Sequence, residues 1–518
     1  MSLIFGTYHG SHHARPGNGG ASPQHAKPWV LATAILGSSL VFIEGSVVNL
    51  ALPAMQSSLD ATSTELQWVV NAYMLMLGAF MLIGGSLGDR FGMRRIFMLG
   101  ALVFCVGTGA SGFAPSLPVL VAARVLQGAG GALLVPACLA LISLHYPERE
   151  RGRAIGIWAG ASALTTSMGP LVGGSLVDAF GWHSVFLLMV PLALFAAALA
   201  WWRVPRDKPP ASAMGLDYLG AGLLAAALGL SIYALVAAGG ARWLAALLAL
   251  IAGAAFLWRE ARCAAPMLPL HLFRSWPFSG ANLMTLLLYG ALSGGLYFLP
   301  FDLIQVQGYS ALQAGAAFLP FVAIMGFGSA FAAGLIRRFE TRWVLLIGPL
   351  FTGLGFLLLG MPGVGASYTT GFLPGVLVMG LGMTVSVTPL TTVVMESLSA
   401  KQAGIASGVN NTASRLAGVL AVAGMTALAV SLFGAALAAR LQDSGVPEEL
   451  KRGLLAGAAR LGELKAPAGT APELTAAVHA AVAQAYVGTF RWIMLVCAAL
   501  SGMSGVIAWF SLRSSRTR

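Results

Sequence analysis

The chain runs to 518 residues, 57% of them hydrophobic and only 9% charged, with a mean hydropathy of +0.81. Soluble domains carry roughly 25% charged residues, so this composition excludes a soluble protein and predicts an all-α integral membrane protein with many spans. The formal charge of +12 is dealt out in small groups between apolar runs, not gathered into one basic patch, which argues against a nucleic-acid partner.

In chain order, residues 1–28 read as a polar cytoplasmic tail. His9, His12 and His13 offer metal-binding side chains there, but among Gly and Pro they read as tail and no metal is expected. The first apolar run is too long for the core of a cleavable leader, so none is expected. Apolar runs follow at 29–53, 66–87, 96–114, 117–142, 154–179 and 182–202. A second set lies at 217–238, 242–258, 276–301, 311–335, 343–361, 370–395, 404–438 and 489–511. Each can cross a hydrocarbon core about 30 Å thick. Between the last two, segment 439–488 reads either as amphipathic helices over the outer mouth or as a linker.

Charge tests this count. Alternation from an inside N-terminus places most of the 30 Lys and Arg on the cytoplasmic side. These are Arg15 and Lys27; Arg90, Arg94 and Arg95; Arg149, Arg151 and Arg153; Arg203, Arg206 and Lys208. They continue with Arg259, Arg262 and Arg274; Arg337, Arg338 and Arg342; Lys401; and Arg513, Arg516 and Arg518. The short outer loops hold Arg242 alone. Adding or removing one span would invert half of this pattern. The expectation is therefore a multi-pass plasma-membrane protein with fourteen spans and both termini cytoplasmic.

The chain also repeats itself. Segment 117–156 carries Leu-Pro, a glycine cluster, Pro136 and a basic loop, and segment 373–408 carries Leu-Pro, Gly380, Gly382, Pro389 and Lys401. The loop AGLIRRFETR at 333–342 reads as a decayed copy of GGSLGDRFGMRR at 84–95. Two related six-span bundles, 29–202 and 276–511, are expected, with the pair 217–258 inserted between them.

Charged side chains inside spans cost roughly 2.5–3.5 kcal/mol each on insertion scales, so each asks for a reason. Glu44, in FIEGSVVNLALP, is either a proton carrier or a structural acid bonded to Asn49 or a nearby hydroxyl. Arg124, in ARVLQGAGGALLVP, must be paired, solvated by a cavity or snorkelling outward; Gln127 lies one turn along. In the 84–95 loop Gly85 and Gly92 allow a sharp turn beside Arg90, Arg94 and Arg95. Asp89 suits a helix N-terminus or an arginine partner, although a plain topology signal is the other reading. Gly160, Gly169, Pro170, Gly173 and Gly174 combine a kink with close helix packing. Asn410, Asn411 and Arg415 fall inside a span and, with Asn49, Gln127 and Gln305, are candidates for a substrate cavity. Asp302, at an outer helix end, reads as a solvated carboxylate, with outer-gate proton exchange as the other reading. Glu396, near an inner end, reads as interfacial. The four cysteines have no CxxC spacing and read as free thiols. No GK dipeptide occurs, so the chain itself has no phosphate-binding loop for ATP, and no cofactor is expected.

The loop pattern G-x-L-x-D-R-x-G-x-R-R resembles the signature loop between spans 2 and 3 of the major facilitator superfamily. FIEGSVVNLALP is similar to that family's span-1 motif with Glu in place of the usual Asp. R-V-L-Q-G-x-G is similar to its span-4 motif, and GPLVGG to the antiporter motif of its exporters. LPFDLIQVQGYSALQAG at 299–315 and AGIASGVNNTASRLAG at 403–418 also resemble the fourteen-span drug–proton antiporter branch, so the resemblance covers nearly the whole chain. That resemblance implies the major facilitator fold and proton coupling through Glu44 and Arg124. It also implies a conformational switch in 84–95 and export of amphiphilic drugs or antibiotics, with no enzyme activity. An endogenous lipid, siderophore or metabolite is the alternative cargo, and a non-transporting sensor the alternative role. The few acids within the spans argue for neutral or monocationic substrates. Expected partners are the substrate, protons and the lipid bilayer, for a monomer; a periplasmic adaptor is the protein partner left open.

Overall fold

A computed structural model of the chain describes residues 23–207, 217–236, 240–263, 266, 268, 270–397, 403–442, 446–467 and 470–512. The sequence expectations for 1–22, Lys208, Lys401 and 513–518 lie outside these residues. Within a bilayer the backbone has no water to bond, so each apolar run closes its own hydrogen bonds as a helix. The regular elements among the described residues are all helical. The first part holds α1 (Pro23–Ser58), α2 (Ser63–Phe91), α3 (Met93–Gly112), α4 (Leu117–His145) and α5 (Glu148–Phe180). The short α6 (His183–Leu187) and α7 (Met189–Arg203) follow, then α8 (Tyr218–Val236) and α9 (Gly240–Arg262). The second part holds α10 (Trp276–Phe301), α11 (Ala311–Ala316), α12 (Leu319–Arg338), α13 (Thr341–Leu359) and α14 (Leu373–Glu396). It ends with α15 (Ala403–Gln442), α16 (Glu448–Ala456) and α17 (Pro472–Ser511).

Eleven of the described helical segments are long and apolar enough to cross a membrane. Helices also stand at 63–91 and 148–180, and α11 and α12 cover 311–316 and 319–338. Segment 439–488 differs from a plain loop. Its first residues extend α15, 448–456 form α16, and from Pro472 onward it is already α17, a 40-residue helix. The regular elements among the described residues of that segment are helical.

The helix ends follow local chemistry. The Thr62 hydroxyl accepts from the Glu65 N–H (3.2 Å) while the Thr62 N–H donates to the Glu65 carboxylate (3.0 Å), a reciprocal cap that starts α2. Gly92 takes φ 96°, so α2 and α3 turn in one residue.

α4 is the axis of the first half, packed on α1, α2 and α3, with α5 and α7 against α1. A Cβ added at Gly128 would lie 2.5 Å from the Tyr73 carbonyl, which is why only glycine lets α4 meet α2 so closely. In the second half α13 packs on α14 and α17, and α10 on α15 and α17. α8 and α9 pack chiefly on each other, and Ile232 of α8 is buried against Val419 and Ala423 of α15. The two halves meet where α2 lies on α15, α5 on α11 and α12, and α1 on α10. Large apolar side chains such as Trp202, Trp243 and Leu250 stay exposed on the outside, as a lipid-facing surface requires.

Candidate functional site

α1 and α4 bring Glu44 and Arg124 into one buried ion pair, each side chain 1% exposed. Arg124 Nη1 donates to Glu44 Oε1 and to Gln127 Oε1 (2.7 Å). Its Nε donates to the Val69 carbonyl of α2 at 2.8 Å. The guanidinium carbon lies 4.3 Å from the Tyr73 ring centre and 5.6 Å from that of Phe186. Tyr73 is held in turn by a hydroxyl bond to the Val41 carbonyl, 3.3 Å away. Four segments of the first half thus converge on one cation. Of the readings open for these residues, snorkelling by Arg124 and an Asn49 bond by Glu44 give way to direct pairing. Burying two charges costs several kcal/mol per ion, and only good geometry with further hydrogen bonds offsets it. Tyr73, Phe186 and the Val69 carbonyl were missed in the sequence. Two aromatics and a backbone oxygen carry no signal of their own in an apolar run.

The 84–95 hinge sits at one end of this bundle. Among the described residues, the carboxylate at the start of α3 is Asp207. Asp207 accepts from the N–H groups of Met93 and Arg94, the latter at 3.4 Å. Arg94 turns inward, its Nε donating to the Ala200 carbonyl (3.0 Å) and an Nη to that of Trp201. Arg90 and Arg95 are exposed, and Gly85 lies beside Pro136 of α4. The Asp89 and Glu396 side chains lie outside those described. A carboxylate more than a hundred residues away was not legible as this cap.

At the opposite end the glycine motif of α5 meets the second half directly. A Cβ at Gly174 would lie 2.4 Å from the Ala311 carbonyl, and one at Gly315 only 2.2 Å from the Pro170 carbonyl. Gly173 faces Val47 of α1. Asp178 fastens the contact, accepting from the N–H groups of Ala311 (3.0 Å) and Leu312 (2.8 Å). Gly169 precedes the kink at Pro170, and the contacts of Gly160 lie outside those described. Nearby, Gln305 donates to Gln56 of α1 at 3.0 Å, and Gln56 donates to Ser63 (3.1 Å) and to the Arg460 carbonyl (3.0 Å). Arg460 pairs with Asp60 at 2.5 Å. Burial holds the Glu463 carboxyl above its ordinary pKa, against the opposing pull of Arg460 and Lys465. This end is closed, and residues from 446–467 help to close it.

Asp302 is not the solvated carboxylate expected. It is 1% exposed and opens a π-helical turn, Asp302–Val306, in which the Gln307 N–H reaches back to the Asp302 carbonyl (3.0 Å). One carboxylate oxygen accepts from Gln307 Nε2 at 3.3 Å, while the other is buried without a hydrogen-bond partner. Gln307 is pinned by the Gly363 carbonyl and by the N–H groups of Gly365 and Ala366.

The remaining candidates lie on α1 and α15. Asn410 Nδ2 donates to Thr285 (2.6 Å) and to Asn282 (3.3 Å) of α10. Asn411 is exposed, and Asn49 is partly buried on α1. Arg415 is partly exposed and lies 5.9 Å from the Phe42 ring centre, across the boundary. All four cysteines are free thiols.

The sequence profile of the Major Facilitator Superfamily matches residues 34–422. The chain is 32% identical to a tetracenomycin C resistance and export protein of Streptomyces glaucescens, over 87% of this chain and 85% of the relative. It is 31% identical to a methylenomycin A resistance protein of Bacillus subtilis, over 78% of this chain and 87% of that one. Similarity to the multidrug efflux pump LfrA of Mycolicibacterium smegmatis is 30%, covering 77% and 80%. Among solved structures, a bacterial homolog of the human lysosomal transporter Spinster, inward-facing and unoccupied, superposes with a TM-score of 0.66. It is 18% identical, and the match covers 94% of this chain and 98% of that one.

Proposed function

From the premise that the chain belongs to the Major Facilitator Superfamily, we propose that it exports amphiphilic small molecules, drugs or antibiotics among them, by proton-coupled alternating access. The observation that carries this is the buried Glu44–Arg124 pair. Arg124 stays charged at any physiological pH, so Glu44 is the member whose charge can change. A proton on Glu44 removes the counter-charge that holds Arg124, and the bonds to Gln127, Val69 and Tyr73 must then share the cation differently. α1 carries the consequence along its length. It bears Glu44 at its centre, Val47 against Gly173, and Gln56 at the closed end, so a shift of α1 works on the gate. At the other end, Asp207 and Arg94 tie the start of α3 to the end of α7, so these two helices move as one body. The reading includes fourteen spans with both termini cytoplasmic, two six-helix bundles and α8–α9 as the inserted pair. Substrate-induced proton movement in reconstituted vesicles tests it. Wild-type protein should exchange protons for substrate and Glu44→Gln should not; wild-type exchange in that variant would end the assignment.

A further inference from the structure

We propose that the space between the halves takes anionic, aromatic amphiphiles, and that Arg415 is the side chain that meets their negative charge. This rests on the exporter reading and names its substrate class. Arg415 belongs to α15 of the second half, yet its neighbours across the boundary belong to the first. Gly78 of α2 leaves room for it, since a Cβ there would lie 3.2 Å from the Arg415 Cβ. Its guanidinium faces the Phe42 ring of α1 and lies within electrostatic range of Tyr73 of α2 and Tyr289 of α10. It is partly exposed, and no carboxylate among the described residues pairs with it.

The charge balance at this level then decides the class. Glu44 is the acid that would welcome a cationic drug, but Arg124 already occupies it. With that pair neutral, Arg415 is a positive charge that no acid among the described residues pairs with. A guanidinium away from bulk water needs a counter-charge, and its planar fork matches a carboxylate or sulfonate, which a cationic substrate cannot supply. The surrounding wall is aromatic. Phe42 stands 6.5 Å from Trp158, whose indole N–H is anchored on Ser38 at 2.8 Å. Phe42, Trp158 and Tyr289 are all partly exposed, so a flat ring system has faces to stack on. Tyr73 ties this place to the coupling pair, because the residue in electrostatic range of Arg415 is also the one on whose ring Arg124 stacks at 4.3 Å. The expectation of neutral or monocationic cargo changes accordingly.

Fluorescein and rhodamine 123 share a tricyclic core and differ in charge, so their binding to the purified full chain in detergent, read by anisotropy, isolates the point. Wild-type protein should bind the fluorescein anion about tenfold or more tightly than the rhodamine cation, the scale of one charge-assisted contact. Arg415→Gln should weaken fluorescein by a similar factor and leave rhodamine unchanged or tighter, while Arg415→Lys should recover part of the loss. Equal or tighter rhodamine binding in the wild type overturns the proposal without any variant. An unchanged fluorescein affinity in Arg415→Gln, or an equal loss of both dyes, overturns it too. Binding is read without a proton gradient, so a failure of proton coupling would sink the transport reading and leave this result intact.

Discussion

The two halves bury charge in opposite ways. In the first, Glu44 and Arg124 close on each other and every further contact of the guanidinium is filled from α2, α4 or α6. In the second, Asp302 is just as buried but has, among the described residues, one amide donor and no cation partner, and Arg415 has aromatic neighbours and no acid partner there. A closed pair is stable until a proton separates it, which suits a coupling switch. Open charges are satisfied only by something that arrives, which suits a ligand or proton site.

The comparison is easiest to break at the pair itself. Glu44→Gln leaves Arg124 buried without a counter-charge, so it should abolish driven export and lower folding stability by about 3–5 kcal/mol. Thermal melting in detergent reads the second effect. Glu44→Gln combined with Arg124→Met should regain much of the stability and none of the transport. A single variant that melts like the wild type would mean the pair is not closed.

Next in size is the seam between the halves. Gly315→Val forces a side chain into the Pro170 carbonyl, and overpacking of this kind costs about 1–3 kcal/mol in the closed arrangement. Cysteines placed at 56 and 305 should then cross-link less readily than in a Gly315 background; equal yields would mean that the seam does not hold the gate.

Asp302→Asn sharpens the contrast by its sign. It removes a buried charge that has no cation partner among the described residues, so stability should hold or rise by about 1 kcal/mol, opposite to the outcome at Glu44. A loss as large as that of Glu44→Gln would reveal a cation partner for Asp302.

The smallest effect belongs to the hinge. Asp207→Asn keeps a side-chain oxygen over the start of α3 but removes its charge, for a loss of about 0.5–1 kcal/mol. A change in transport rate larger than the change in melting would give the hinge a part in the conformational cycle.

Much of this protein was legible one residue at a time. Apolar runs and the basic residues between them mark membrane spans because the bilayer penalises each charge and each open backbone group independently of the fold. Glu44, Arg124 and the glycine motif stood out for the same reason, as costly or unusual residues in an apolar setting. What stayed hidden was everything that depends on a distant partner. Asp207 at the start of α3, Asp178 on α11, Tyr73 under Arg124 and Gln56 beside Gln305 are ordinary residues whose meaning comes from what lies across from them. Sequence determined that Glu44 and Arg124 each need a partner. Only the tertiary structure decided that they are each other's partner while, among the described residues, Arg415 and Asp302 have no ion-pair partner, because burial and pairing are properties of the packed halves and not of the chain.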